Sequence, residues 1–306
     1  MLTIFTIPKP FKGHIGLIQS NAIQSWKCLS PSVEIILCGD DEGVEDAAAR
    51  YGVNFIGNID RSEWGTPILA SAFQHVRATA RHDLLCFVNA DIIFLKDLAS
   101  SATQLRFDRF LMVGQRRDCD VTRPIDFSSP TWEEEFRSKA FTEGKLHPPA
   151  GSDYFVFRRT DDALCALPPF AVGRPGWDCW FIYHARRLGR PVIDASRAIM
   201  PIHQNHDYTH VPAAAGATTD GKDWRGPEAD RHREFMGGPD HYFTPLDATH
   251  FFTPQGIKPA LSYNYLRNRW HRLPVLHPAA APFYAVIDKL VPDAMRRAVG
   301  KLLKKR

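Results

Sequence analysis

The sequence predicts an α/β fold: a Rossmann-type, mostly parallel sheet flanked by helices, with a loop-rich C-terminal part. Three observations carry this. Strand-like and helix-like patterns alternate β-α-β-α-β-α-β from the N-terminus, the order a parallel sheet with crossover helices requires. The run Leu84-Leu85-Cys86-Phe87-Val88 is apolar without alternation, which marks a strand covered on both faces. A chain of 306 residues, 44% apolar and 24% charged, is long enough to bury a large core and too apolar to be disordered throughout.

Leu2 to Ile7 reads as the first strand. Ile15 to Leu29 follows as a helix, because Ile15, Ile18, Ala22, Trp26 and Leu29 recur at helical spacing. Val33 to Cys38 is the second strand, Asp41 to Tyr51 a short helix and Val53 to Ile56 a third strand. Beyond the turn at Trp64-Gly65, Thr66-Pro67 opens a helix through Arg81, with Pro67 at the first helical position, where a missing N–H is tolerated. The strand Leu84 to Val88 comes next. The second half is less regular. Phe110 to Gly114 and Asp153 to Arg158 are strands, and Arg116 to Leu146 is a loop-rich insert whose helix begins at Thr131. Trp177 to Leu188 is a helix, and Pro191 to Ala195 and Ala198 to Ile202 are extended. Thr209 to Asp247, rich in Gly, Pro, Asp and Arg, reads as long loops over a substrate. No internal repeat interrupts the chain, and no linker is long enough to demand two independent domains.

Composition excludes several classes. A formal charge of +4 without a clustered basic surface argues against nucleic acid as a partner. The six cysteines are widely spaced with no C-x-x-C pair, as expected of small buried hydrophobes in a reducing compartment. No apolar stretch approaches the roughly 18 residues of a membrane span, and the N-terminal strand is not followed by a signal-peptide pattern. The expected location is the cytoplasm, with the inner face of the membrane as a possible surface.

Chemistry concentrates at four segments. Asn89-Ala90-Asp91 interrupts the apolar run where the strand ends, and ligands of parallel sheets sit outside such ends. On an extended backbone Asn89 and Asp91 share a side; they either form an oxygen pair for a hard divalent cation or cap a turn. Cys38-Gly39-Asp40-Asp41 ends the second strand, where a carboxylate either binds a ribose or base or caps the next helix. Gly173-Arg174-Pro175-Gly176-Trp177-Asp178 enters a helix whose first turn holds Asp178; Asp178 either caps that helix or serves a site, and the indole faces of Trp177 and Trp180 suit either a sugar ring or the core. His203, His206 and His210 follow an apolar segment. A closed zinc site lacks a cysteine or H-E-x-x-H spacing here; one of these histidines joining Asp91 at a metal is preferred, with the others behind it or on phosphate. Arg116, Arg117, Asp118, Asp153 and Arg174 are further polar candidates, although for Asp153 a strand-end hydrogen bond and for Arg174 a surface ion pair explain the residue as well.

The strand-helix order ending in N-A-D, the G-S-D-Y segment Gly151 to Tyr154, the G-W-D helix start at Asp178 and the later histidines resemble the GT-A fold nucleotide-sugar glycosyltransferases over roughly residues 1–210. In that family a D-x-D motif holds the divalent metal, Mn²⁺ or Mg²⁺, that bridges the donor diphosphate. The resemblance implies Asp91 as a direct ligand, Asn89 on the ribose or a metal-bound water, His203 or His206 as the C-terminal ligand, Asp40 or Asp41 on the nucleotide, and Asp178 as the general base of an inverting transfer. Asp153, Arg174 and Trp177 would then bind the acceptor, with Arg116, Arg117 and Asp118 lining the same side. Residues 1–275 become the catalytic unit, with 1–115 the nucleotide-sugar-binding half and 116–275 the acceptor half. The implied partners are a nucleotide diphosphate sugar and a saccharide or lipid-linked saccharide, in surface polysaccharide or glycolipid synthesis.

Residues 276–306 form a basic tail. Lys289, Arg296, Arg297, Lys301, Lys304, Lys305 and Arg306 face one nearby acid, Asp293, and Met295, Ala298, Val299, Leu302 and Leu303 recur at helical spacing. Such a helix either lies on anionic lipid or docks with a solvated basic face. Two other functions compete with the transferase. A sugar-1-phosphate nucleotidyltransferase would want a Gly-rich phosphate loop, which Thr6 to Gly13 does not supply, and a catalytically silent sugar-binding scaffold would tolerate Asn89 in place of an acid. A histidine-based metallohydrolase is a further alternative.

Overall fold

The computed structural model of the protein describes residues 1–206 and 226–290; the expectations for His210 and for the basic tail beyond residue 290 lie outside them. In chain order the elements are β1 (Leu2–Thr6), α1 (Gly13–Lys27), β2 (Glu34–Cys38), α2 (Val44–Tyr51), β3 (Asn54–Ile56), α3 (Leu69–Thr79), β4 (Leu84–Val88), β5 (Ile92–Ile93), α4 (Asp97–Ala102) and β6 (Leu111–Val113). There follow β7 (Arg117–Cys119), α5 (Trp132–Thr142), β8 (Lys145–Leu146), β9 (Tyr154–Arg158), α6 (Asp162–Cys165), α7 (Trp177–Arg187), β10 (Val192–Asp194) and β11 (Ile202–Gln204). The chain continues through α8 (Pro227–Met236), β12 (His250–Thr253), β13 (Gly256–Pro259), α9 (Tyr263–Leu276) and α10 (Ala281–Leu290).

A nine-stranded sheet in the order β13-β12-β10-β6-β9-β4-β1-β2-β3 forms the centre. It is mostly parallel: β1 pairs in parallel with β2 and β4, β2 with β3, and β10 with β6 and β12, while β9 runs antiparallel between β4 and β6 and β13 antiparallel to β12. The expected fold class is therefore met. Period-two alternation sorts the strand residues between two layers. Phe5, Leu85, Phe87, Phe155 and Phe157 pack under α3 and α7 with Phe73 and Phe181. Ile4, Cys86, Val88, Tyr154 and Val156 pack on the other face with Ala22 and Trp26 of α1 and Ala47 of α2. All five residues of β4 are buried, as the unbroken apolar run required.

Three elements differ from the sequence expectation. The helix expected to open at Pro67 begins at Leu69. The carbonyls of Thr66 and Pro67 accept from the N–H groups of Ser62 and Val172, at 2.8 and 2.9 Å, and this holds the segment extended. Ala198 is not in a strand; its N–H and that of Ile199 return to the Ala195 carbonyl, both at 2.9 Å, and make a turn. The stretch read as loops from Thr209 to Asp247 contains α8. A second, four-stranded sheet, β5-β11-β7-β8, had no counterpart in the expected elements. It lies beyond the C-terminal end of β4 and brings the insert and the histidine segment together.

Candidate functional site

The site grows from the end of β4. There the chain does not run straight on: the Ile92 N–H donates to the Asn89 carbonyl at 3.2 Å, turning Asn89 and Asp91 apart. The Asn89 amide Nδ2 donates to Asp153 Oδ1 at 2.7 Å, and its backbone N–H to the Asp153 carbonyl at 2.9 Å. The expected side-by-side oxygen pair of Asn89 and Asp91 is therefore not formed. Short β5 then pairs antiparallel with β11, placing Ile92 opposite His203, and the Asp91 carbonyl accepts from the N–H and Nε2 of Gln204 at 3.2 and 3.1 Å. Asp91 is thus pinned beside the histidine segment.

Asp91, His203 and His206 offer ligand atoms that all lie within 4.8 Å of one another. His206 Nε2 stands 3.0 Å and His203 Nε2 3.8 Å from Asp91 Oδ2. Asp91 Oδ1 is buried with no hydrogen-bond partner among the described residues, a costly arrangement for a carboxylate oxygen. A carboxylate with one buried oxygen, Oδ1, unfilled and the other, Oδ2, facing two imidazoles fits a divalent cation, and two nitrogen donors favour Mn²⁺ and its transition-metal neighbours over Mg²⁺. Burial works to raise the Asp91 carboxyl, but the charge of His203, the hydrogen bond with His206 and Lys9 hold it well below the usual carboxylate range. Burial likewise works against charge on His203, and Asp91 and Asp118 outweigh it, raising that imidazole. The same burial lowers the Lys9 ammonium, partly offset by Asp91. Lys9 lies just beyond β1, and its charge reaches Asp91.

Beneath these groups runs a network of charge. Arg116 Nε donates to Asp118 Oδ1 at 2.9 Å and its terminal nitrogen to Asp153 Oδ2 at 2.5 Å. Asp118 Oδ2 meets His147 Nδ1 at 2.7 Å. Arg116, Asp118 and Asp153, expected along the acceptor side, are therefore committed to one another. Arg174 is committed as well, to Glu228 at 2.5 Å, and Glu228 accepts from Ser62 and Thr66 at 2.6 and 3.0 Å. Trp177 is corrected more firmly. It is 6% exposed and its ring packs against Phe87 and Phe155 at centroid distances of 5.2 and 5.1 Å, so its faces belong to the core and not to an acceptor sugar.

Asp178 stands in the first turn of α7. Gly176, with φ +94°, makes the entry, and a side chain there would collide with Met236 and Tyr242. The Ser152 N–H donates to Asp178 Oδ2 at 3.2 Å, which sets this carboxylate one residue from Asp153 along β9's approach. Burial raises the Asp178 carboxyl above its ordinary value, with backbone N–H groups opposing and Asp153 reinforcing. Asp40 and Asp41, at the end of β2, both pair with Arg61, Asp41 at 3.3 Å. They stand on the same strand-end edge as Asp91 but do not touch its cluster.

No protein-family model matches the sequence, and no curated protein sequence matches it. Among solved structures the chain is similar to glucosyl-3-phosphoglycerate synthase from Mycobacterium tuberculosis, solved with Mg²⁺ and uridine diphosphate, at 13% identity and a TM-score of 0.45 over 78% of this chain and 80% of that one. It is also similar to a putative nucleotide-diphospho-sugar transferase from Desulfovibrio desulfuricans G20, at 12% identity and a TM-score of 0.42 over 76% of this chain and 94% of that one. Likeness at this level carries no argument for function, which rests on the site itself.

Proposed function

We propose that this protein is a metal-assisted glycosyltransferase of GT-A type that moves a sugar from a nucleotide diphosphate donor to a hydroxyl acceptor. The observation that carries the reading is the Asp91, His203, His206 cluster with its unpartnered Asp91 oxygen, set at the C-terminal edge of parallel strands where such sheets bind their ligands. Asp91, His203 and His206 would hold a divalent cation there, which would supply neutralisation for diphosphate oxygens as they take up charge. Lys9 adds a positive charge on the same side. Asp40 and Asp41, after β2, bind the nucleoside in this reading and give up Arg61 to do so. Asp178 is the proton acceptor for the attacking hydroxyl, since a carboxyl raised by burial lies closer to the working pH than an ordinary one. A base on the acceptor hydroxyl is what an inverting transfer needs and a retaining one does not, which favours inversion. Residues 1–115 otherwise serve the donor and 116–275 the acceptor, with His203 and His206 crossing from the second half to the donor's cation.

The acceptor is a saccharide or lipid-linked saccharide of a surface polysaccharide or glycolipid, reached from the inner membrane face. Phe283 and Val286 of α10 are exposed, and the basic residues from Lys289 to Arg306 follow them in sequence, a combination suited to anionic lipid. Among the described residues no helix is long and apolar enough to cross a membrane.

A thermal-shift panel of nucleotide diphosphates and nucleotide sugars with Mn²⁺, Mg²⁺ or chelator tests this, because a ligand that binds the folded state raises its stability. A metal-dependent shift with one nucleotide, larger with Mn²⁺ than with Mg²⁺, is expected. Asp91→Ala abolishes that shift, whereas Asp178→Ala keeps it and loses transfer. Equal loss of donor binding in both folded variants would remove these roles, and no shift with any nucleotide would remove the donor reading.

A further inference from the structure

Asp118 lies behind the cation cluster, on a strand of the second sheet. β7 and β11 run parallel there with Asp118 in register with His203, so the two side chains leave the sheet together. Asp118 Oδ1 stands 3.2 Å from His203 Nδ1. The approach is out of line for a full hydrogen bond, and His203 Nδ1 is otherwise a buried nitrogen without a partner among the described residues. Asp118 is itself fixed from two further directions, by Arg116 Nε at 2.9 Å and by His147 Nδ1 at 2.7 Å. Arg116 in turn is locked to Asp153, and Asp153 to Asn89. The asparagine that stands first in N-A-D is thus the outer end of a chain of contacts that closes on His203.

An imidazole presents one bare nitrogen only when the other carries the proton. A carboxylate at Nδ1 holds the proton there and leaves Nε2 unprotonated, the nitrogen that faces Asp91 at 3.8 Å. We infer that Asp118 is a positioning residue of the cation site: braced by Arg116 and His147, it fixes the tautomer and direction of His203 so that Nε2 serves as a ligand. This rests on the reading of Asp91, His203 and His206 as a cation site. Carboxylates behind ligating histidines characteristically change metal affinity by 10–100-fold when removed.

The test is Mn²⁺ titration calorimetry on the full chain without nucleotide, comparing wild type, Asp118→Ala and Asp118→Asn, with chelator-treated melting curves for each. Asp118→Ala is expected to weaken Mn²⁺ binding by 10–100-fold, and Asp118→Asn by less, because an amide oxygen still accepts from Nδ1–H. An Asp118→Ala protein that melts like wild type in chelator and binds Mn²⁺ equally well overturns the positioning role alone. A wild type that binds no Mn²⁺ overturns the cation site and this role with it. The second measurement needs no variant: ¹⁵N shifts of His203 in the metal-free wild type, followed upward in pH until the ring is neutral, should report the Nδ1–H tautomer, and the Nε2–H tautomer of the neutral ring would overturn the inference even if the substituted proteins fail to fold.

Discussion

Removing Arg116 should be among the most damaging single changes to this fold that leaves the apolar core untouched. Its side chain is 11% exposed and bridges Asp118, 22% exposed, and Asp153, 7% exposed. Two opposite unit charges about 3 Å apart attract by roughly 5 kcal/mol at an effective dielectric constant of about 20, and much of that offsets the desolvation of all three groups. The pair of ion pairs therefore contributes modest net stability as it stands. The asymmetry appears when one partner goes. Arg116→Met keeps most of the packing volume, leaves Asp153 without its counter-charge and Asp118 with only the imidazoles of His147 and His203, close to a third carboxylate, Asp91, whose field already reaches Arg116. Deleting one member of a buried pair costs about 3–5 kcal/mol, and that loss is expected here in urea unfolding at neutral pH with chelator present. Adding Asp153→Asn to Arg116→Met removes one of the orphaned charges, so the double variant should be more stable than Arg116→Met alone, with a coupling of about 0.5–3 kcal/mol. A loss below about 1 kcal/mol for Arg116→Met, or strict additivity in the double variant, would refute the view that these charges form one network.

Much of this architecture was legible in the chain because its signals are local. β4 announces itself by five consecutive apolar residues, and all five are buried. Asp91 and the pair His203 and His206 were legible as candidates by residue type, a carboxylate at a strand end and histidines after an apolar run, and the structure sets all three together. The orientation of Asn89 was not, because the argument from alternation assumes an extended backbone, and the chain turns between Asn89 and Ile92. The second sheet was hidden for a different reason: strands of two or three residues carry no periodicity. The roles of Asp118 and Arg116 depend on that sheet, and His147 follows the insert with no local pattern to single it out. α8 escaped notice because a polar helix leaves no stripe; its buried residues Glu228, Ala229, His232 and Met236 include two ionisable ones. Trp177 shows the opposite failure. An indole in a first helical turn reads alike whether it faces solvent or core, and only the rings of Phe87 and Phe155 decide the matter.

The membrane reading predicts that replacing Arg296, Arg297, Lys304 and Lys305 by glutamine removes about 4 kcal/mol of attraction to an anionic surface, at about 1 kcal/mol per basic residue. Co-sedimentation with phosphatidylglycerol vesicles should fall while that with phosphatidylcholine stays low, and unchanged binding would remove the tail from the interface. His232 predicts an acid-sensitive step in stability. It is 1% exposed, its Nε2 accepts the Ala171 N–H at 2.8 Å, and burial pushes it down from 6.5 to about 4. A histidine lowered in the folded state stays neutral there, while the unfolded chain takes up a proton below about 6.5. Its contribution is therefore complete above pH 6.5 and is lost as the pH falls from 6.5 toward 4. A shift of this size corresponds to roughly 3 kcal/mol at 1.36 kcal/mol per pH unit. Urea unfolding of wild type and His232→Gln at pH 7, 5.5 and 4.5 isolates this step, because the other titrating groups are shared. The variant should start less stable, having lost a packed ring, and should lose less on acidification. Parallel losses in the two proteins would mean that His232 takes up its proton without disturbing the fold, and that its place between α8 and the Ala171 N–H is not what makes this face of the molecule acid-sensitive.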